Sequence, residues 1–148
     1  MKTLIKNGLV VDPANLVQTH LNLLLEDGKI VAVTEEELEA DRVIDAAGKV
    51  VAPGFIDIHM HEDPVKDDKI QFCIFDAMLR MGVTTAVGGN CGINVYDPVK
   101  YLDLLERDGA PVNVMMFAGH QYYREAAGAL DKYSPVTEEQ RKMMKKGL

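Results

Sequence analysis

The sequence has no apolar run approaching the roughly 20 residues needed to cross a membrane, and Lys6, Asn7 and Asp12 interrupt the apolar stretch at its start. Neither a membrane partner nor a signal peptide is expected. Cysteine is scarce. Cys73 and Cys91 are the only two, too few for a disulfide framework, which makes a reducing cytoplasm the default location. Positive charge is also in short supply. The formal net charge is −7 and no basic stripe is present, so a nucleic-acid partner, which requires a basic face, is not expected. The one basic cluster, Arg141, Lys142, Lys145 and Lys146, falls in a predicted last helical turn, where cations suit the helix dipole. Internal repeats and low-complexity segments are absent as well.

What remains is ordinary globular material: 148 residues, 47% apolar and 26% charged, enough for a hydrophobic core. Two patterns divide the chain. Residues 1–52 read as short strands joined by turns. Leu4, Ile5, Leu9 and Val10 flank Asn7-Gly8, a hairpin-turn signal. A second run, Leu21 to Leu25, turns at Asp27-Gly28 and returns through Lys29 to Val33. Val43-Ile44 and Val50-Val51 flank a third turn at Ala46-Ala47-Gly48. This is the pattern of a small β-sandwich or meander.

The pattern changes at Pro53-Gly54. Phe55 to Ile58 fits a strand buried on both faces. Ile70 to Met81 has helical spacing, with Ile70, Ile74 and Met78 on one line, Phe75 and Leu79 beside it, and Gly82 as the stop. Val83 to Val87 is β-branched. Asp97-Pro98 supplies an N-cap and a first-turn proline for a helix whose apolar face is Tyr101, Leu102 and Leu105. Val112 to Phe117 predicts a third strand, and Thr137 with Gln140 forms a capping box for a last helix. Alternating strands and helices predict a parallel sheet with right-handed crossovers.

The chemistry sits at the predicted strand ends. His59 and His61, two of four histidines, follow the first strand. At i and i+2 on extended chain they point to one face and can reach one cation or two neighbouring ones. Cys91 follows the second strand through Gly88-Gly89-Asn90, and a thiolate is a good zinc ligand. A buried structural cysteine is the bland alternative, and the one adopted for Cys73 within the helical pattern. His120 follows the third strand. Three successive strand ends bearing metal-capable groups weigh more than any one of them, because barrel enzymes gather function at that end. His20 fits none of this and reads as a surface or packing residue.

Val51 to His61, reading V-A-P-G-F-I-D-I-H-M-H, together with Asp63, Gly82-Val-Thr-Thr85 and Gly89-Asn90-Cys91-Gly92, resembles the opening of the amidohydrolase superfamily barrel. The Gly-Asn-Cys-Gly stretch is similar to the N-acyl-D-amino-acid deacylases, in which the cysteine is a metal ligand. Asn113, Gly119-His120 and Arg124 also look like that family's third strand and the loop after it. The resemblance implies an α/β fold: a small N-terminal β-sandwich segment over residues 1–52, then over 53–148 the first three βα units of an incomplete (β/α)8 TIM-type barrel. It implies a zinc-dependent amidohydrolase acting on a small-molecule N-acyl amino acid, with one or two zinc ions, metal ligands His59, His61 and Cys91, and substrate contacts from His120 and Arg124. The family's catalytic aspartate and further histidine ligands come from later strands, beyond residue 148. A barrel of this type takes about 250 residues, so the chain by itself is expected to be inactive, and its end reads as a truncation.

Two departures matter. Gln121-Tyr122-Tyr123 is bulky for the loop after His120. Glu62-Asp63-Pro64 stands where dihydroorotases and hydantoinases, which share the histidine pair, usually carry arginine or other distinctive residues. A cyclic amidase of that type is the second reading. A non-enzymatic metal-binding jelly-roll is the third, and it would require residues 70–81 and 97–108 to be strands.

Overall fold

The computed structural model describes residues 1–147. The chain divides into two compact units, Met1–Pro53 and a second beginning at Gly54. No helix among the described residues is long and apolar enough to cross a membrane.

The first unit is one mixed sheet: β1 (Lys2–Asp12), β2 (Val17–Glu26), β3 (Lys29–Thr34), β4 (Arg42–Asp45) and β5 (Val50–Val51). The order is β3-β2-β1-β4, with β5 also paired to β1. β1, β2 and β3 are antiparallel neighbours, while β4 and β5 run parallel to β1. Leu4, Val10, Leu23, Leu24 and Ala46 are buried. Asp27-Gly28 makes the expected hairpin turn, with positive φ at both residues.

Asn7-Gly8 does not. β1 runs straight through it, and the register against β2 shifts between Ile5 and Gly8. Asn7 takes φ 65°, its side chain donates to Asp45 Oδ1 at 2.9 Å, and its N–H donates to Asn22 Oδ1 at 3.3 Å. The pair that signals a reversal is here a bulge, and glycine is required for a different reason: a Cβ at position 8 would lie 2.5 Å from Val51 Cγ2. The turn at Ala46–Gly48 is likewise a jog between two strands parallel to β1, closed by Lys49 N–H donating to the Ala46 carbonyl at 2.9 Å.

The second unit is built on three parallel strands in the order β10-β9-β6: β6 (Phe55–Met60), β9 (Val83–Gly88) and β10 (Asn113–Met116). A two-stranded hairpin, β7 (Val65–Lys66) with β8 (Lys69–Ile70), and α1 (Ile74–Arg80) lie between β6 and β9. α2 (Pro98–Asp108) joins β9 to β10, and α3 (His120–Ala126) and α4 (Glu138–Gly147) follow. The core gathers Met60, Ile70, Phe75, Met78, Val83, Ala86, Tyr101, Leu105 and Val112.

The expected strand–helix alternation is present, with three differences. The helix expected from Ile70 begins only at Ile74, because Lys69-Ile70 pairs back on Val65-Lys66 through Asp67 and Asp68, both at positive φ. α3 carries no side-chain cap at its start and so gave no sequence signal. Finally, β6 is not buried on both faces. Phe55, Ile56 and Ile58 are each about two-thirds exposed, because among the described elements β6 packs only against β9 and no helix covers it. The expected capping devices do form. Asp97 accepts from the Val99 and Lys100 amides at 3.0 and 3.1 Å. Thr137 and Gln140 exchange two hydrogen bonds at 2.9 and 3.2 Å.

Candidate metal centre

β6 carries one residue more than its partner just before it ends. Asp57 pairs with Ala86 and Met60 with Gly88, so three steps on β6 face two on β9. Such a bulge re-aims the side chains around it, and His59 lies inside it. The polar groups it frees are taken up locally. Asp57 Oδ1 accepts from the His59 N–H at 2.9 Å, and the Asn90 side-chain amide donates to the Ile58 carbonyl. Met60 is buried, and His61 follows as the chain leaves the sheet. The two imidazoles stand with ring centroids 5.8 Å apart, tilted by 44°.

β9 ends in a turn that only glycine can make. Gly89 has φ +82°, and a Cβ there would lie 2.4 Å from the Phe117 carbonyl oxygen. Gly92 N–H closes the turn on the Gly89 carbonyl at 2.9 Å, which brings Cys91 back toward β6. His59 Nε2 and Cys91 Sγ are 2.7 Å apart. One ligand atom each from His59, His61 and Cys91 lie within 4.8 Å of one another, on exposed side chains.

Asp63, two residues after His61, is fully buried. Its Oδ1 accepts from the Ile74 and Cys73 amides at 2.7 and 3.1 Å and from the Cys73 thiol at 2.9 Å; its Oδ2 accepts from the Phe75 amide at 3.0 Å. Asp63 thus satisfies the orphan donors at the start of α1 from ten residues upstream. Burial pushes its carboxyl up, but the Cys73 thiol and the Phe75, Ile74 and Cys73 amides outweigh burial and hold it below the usual carboxylate range. The same contact, followed by burial, pushes the Cys73 thiol up. Cys73 is therefore not the buried core residue expected. It is a surface-accessible residue at the head of α1 whose proton stays in place.

Next to His61, Glu62 is buried too. Its Oε1 accepts from Asn94 Nδ2 at 3.1 Å, and its Oε2 has no partner among the described residues. Asn94 Oδ1 in turn accepts from the Gly119 N–H at 2.6 Å. His120 opens α3, and the next residue, Gln121, donates its N–H to the Gly92 carbonyl at 2.7 Å. His120, Arg124 and Lys132 line a cavity of about 280 Å³ together with Cys91 and Gly92. Arg124 uses one Nη to hold the Asp131 and Ser134 carbonyls at 2.5 and 2.9 Å. Tyr122, conspicuous for its bulk, donates its hydroxyl to Asp97 Oδ2 at 3.1 Å, fastening α3 to the start of α2. His20 lies within β2, exposed.

The structure therefore brings His59, His61 and Cys91 together and sets His120 and Arg124 on a cavity that Cys91 shares. Glu62, Asn94 and Lys132 belong to the same neighbourhood and escaped the sequence reading. Nothing short-range marks the first two, whose partners lie 32 and 25 residues away.

Comparison with known proteins finds relatives over nearly the whole chain. An N-acyl-D-glutamate deacylase from Alcaligenes xylosoxydans xylosoxydans is 29% identical over 162 residues, covering 94% of this chain and 33% of that protein. The dihydroorotase of Elusimicrobium minutum is 43% identical over a shorter stretch of 88 residues, 57% of this chain and 20% of that one. The crystal structure of N-acyl-D-glutamate deacylase from Bordetella bronchiseptica, solved with zinc and a phosphonate mimic of the tetrahedral intermediate, superposes with a TM-score of 0.81 at 28% identity, covering 99% of this chain and 35% of that one. The chain thus spans about a third or less of the length of these relatives. A family model described as "Amidohydrolase family" matches residues 42–140, two-thirds of the sequence, and the chain belongs to the amidohydrolase family.

Proposed function

We propose that this chain supplies part of the metal centre of a zinc-dependent enzyme that hydrolyses the amide bond of N-acyl-D-amino acids, with His59, His61 and Cys91 as ligands to one or two zinc ions. The observation that carries this reading is the convergence of two imidazoles and a thiol, from strand ends 32 residues apart, to within 4.8 Å. The donor set fits the ion. Nitrogen and sulfur are zinc's preferred ligand atoms, and all three residues are exposed. Zinc bound there supplies a Lewis acid that polarises an amide carbonyl and acidifies water. The three strands β6, β9 and β10 are read as the first strands of the family barrel, and residues 1–52 as one layer of its companion β domain.

The residues of this chain have distinct tasks in that reading. The bulge at His59 and the glycine turn before Cys91 hold the ligands from two directions. Arg124 lines the cavity beside Lys132 and His120 and has Nε and one Nη without a partner among the described residues, which suits the carboxylate of an amino-acid substrate. Tyr122, by tying α3 to α2, keeps His120 and Arg124 at a fixed distance from the ligands.

Coverage supports a deacylase over a cyclic amidase: the deacylase likeness runs over 94% of the chain, against 57% for the dihydroorotase. The test uses the full-length protein. Metal content is measured for wild type, Cys91→Ala and Cys73→Ala, and turnover for N-acetyl-D-glutamate, N-acetyl-D-methionine, their L forms and dihydroorotate. Zinc should fall in Cys91→Ala alone, and D-isomers should be cleaved. Undiminished zinc in both variants counts decisively against the ligand assignment. Turnover of dihydroorotate without the acyl amino acids replaces the deacylase with the cyclic amidase.

A further inference from the structure

Cys91 and His61 sit on two separate loops and His120 opens α3, and one side chain touches all three segments. Asn94 lies three residues after Cys91. Its NH2 faces the carboxylate of Glu62, the residue after His61, at 3.1 Å, and its carbonyl oxygen faces the N–H of Gly119, the residue before His120, at 2.6 Å. The acceptor on one side and the donor on the other fix which way the amide points. Asn94 and Glu62 are both more than nine-tenths buried. The fit leaves no slack: a Cβ at Gly119 would lie 2.6 Å from Asn94 Oδ1, and one at Gly89 3.1 Å from Asn94 Nδ2.

We propose that Asn94 is a positioning residue of the metal centre, a buried strut that sets the segments of His61, Cys91 and His120 relative to one another. The inference rests on reading His59, His61 and Cys91 as a zinc site. Asn94 touches no ligand atom and acts through the backbone on either side of it. A buried amide suits the task because its two ends differ. Asparagine satisfies a carboxylate and an N–H at once, whereas aspartate would set two carboxylates against each other and leucine would strand both partners. Outer groups that orient ligands are typically worth about 10–100-fold in metal affinity.

The test uses the full-length protein with cobalt(II) as the probe metal, reading the thiolate-to-cobalt charge-transfer band, the visible ligand-field bands and the metal dissociation constant. Wild type should show the charge-transfer band, and Cys91→Ala should lose it. Asn94→Asp should bind cobalt at least about 10-fold more weakly with shifted ligand-field bands. The double variant Glu62→Gln/Asn94→Asp should recover both, since the new amide at 62 donates to the new carboxylate at 94, which still accepts from Gly119. Wild-type spectrum and affinity in Asn94→Asp overturns the proposal. Should Asn94→Asp not fold, the double variant decides: recovery supports the strut, and a folded double variant with disturbed bands overturns it. A wild-type protein with no thiolate band overturns the metal reading itself, and the proposal with it.

Discussion

The loop end of the three-stranded sheet and the strands that feed it are opposites. At the loops, polar groups are buried and paired: Asp63 is wholly inaccessible and accepts four hydrogen bonds, and Asn94 bridges two other loops. Along the edge strand β6, apolar side chains stand in solvent, with Phe55, Ile56 and Ile58 about two-thirds exposed. The difference shows where the site gets its rigidity. Hydrogen bonds among residues 57–134 hold the segments that carry His59, His61 and Cys91, and the outward apolar side chains of β6 contribute almost nothing to that. Their burial, worth about 1.5–3 kcal/mol per side chain, is still available to whatever covers them.

Substitutions can break this comparison. Phe75→Ala should have the largest effect, about 3–5 kcal/mol in denaturant melts, because Phe75 is wholly buried in the core under the loops. Asp63→Ala should cost about 3 kcal/mol, removing a cap and stranding buried amides of α1, and should also weaken zinc retention through the chain next to His61. A melt within about 0.5 kcal/mol of wild type would mean that the loops are not what holds this end. Gly89→Ala should cost about 2 kcal/mol or more, from positive φ together with the collision with the Phe117 carbonyl; its zinc content should fall with it.

At the weak end of the comparison, Ile58→Ser should change the stability of the 148-residue chain by less than about 0.5 kcal/mol. A cost of about 2 kcal/mol or more would instead mean that this face is covered. The smallest effect concerns pH. Asp97 is held below the ordinary carboxyl value by the Lys100 amide, helped by the Tyr122 hydroxyl and the Val99 amide, against burial, the second-largest effect. A depressed carboxyl stabilises the fold above its unfolded value near 3.9, and that contribution is lost as pH falls through the lower folded value. Asp97→Asn, which keeps the cap, should therefore lose a few tenths of a kcal/mol at pH 7 and show a flatter acid limb below about pH 4.

The sequence was legible wherever cause and effect lie within a few residues. Asp97-Pro98 and Thr137 with Gln140 announce their helices because a cap reaches only to N2 or N3. His59 and His61 declare themselves because two residues of strand return a side chain to the same face. Asn7-Gly8 misled for the same reason, since the local signal is identical for a hairpin and for a bulge, and the choice was made by Asp45 and Val51. The start of α1 was misplaced because its capping residue, Asp63, lies ten residues upstream and the intervening hairpin consumes Ile70. α3 has no capping side chain to read. Within the candidate site the grouping of His59, His61 and Cys91 was legible, while Glu62 and Asn94 were not, because a buried pair is defined by distance in space and both residues are polar types that usually sit on the surface.

Asp63 also sets a clock. Its carboxylate covers the Ile74 and Phe75 amides, and its own carbonyl accepts from the Tyr101 hydroxyl of α2 at 3.1 Å, so those two protons are released to solvent only when the segment carrying His61 and Glu62 lifts away from both helices. Deuterium uptake at Ile74 and Phe75 should therefore run at the opening rate of the ligand loop rather than at the fraying rate of a short helix, and added zinc should slow it in step with binding.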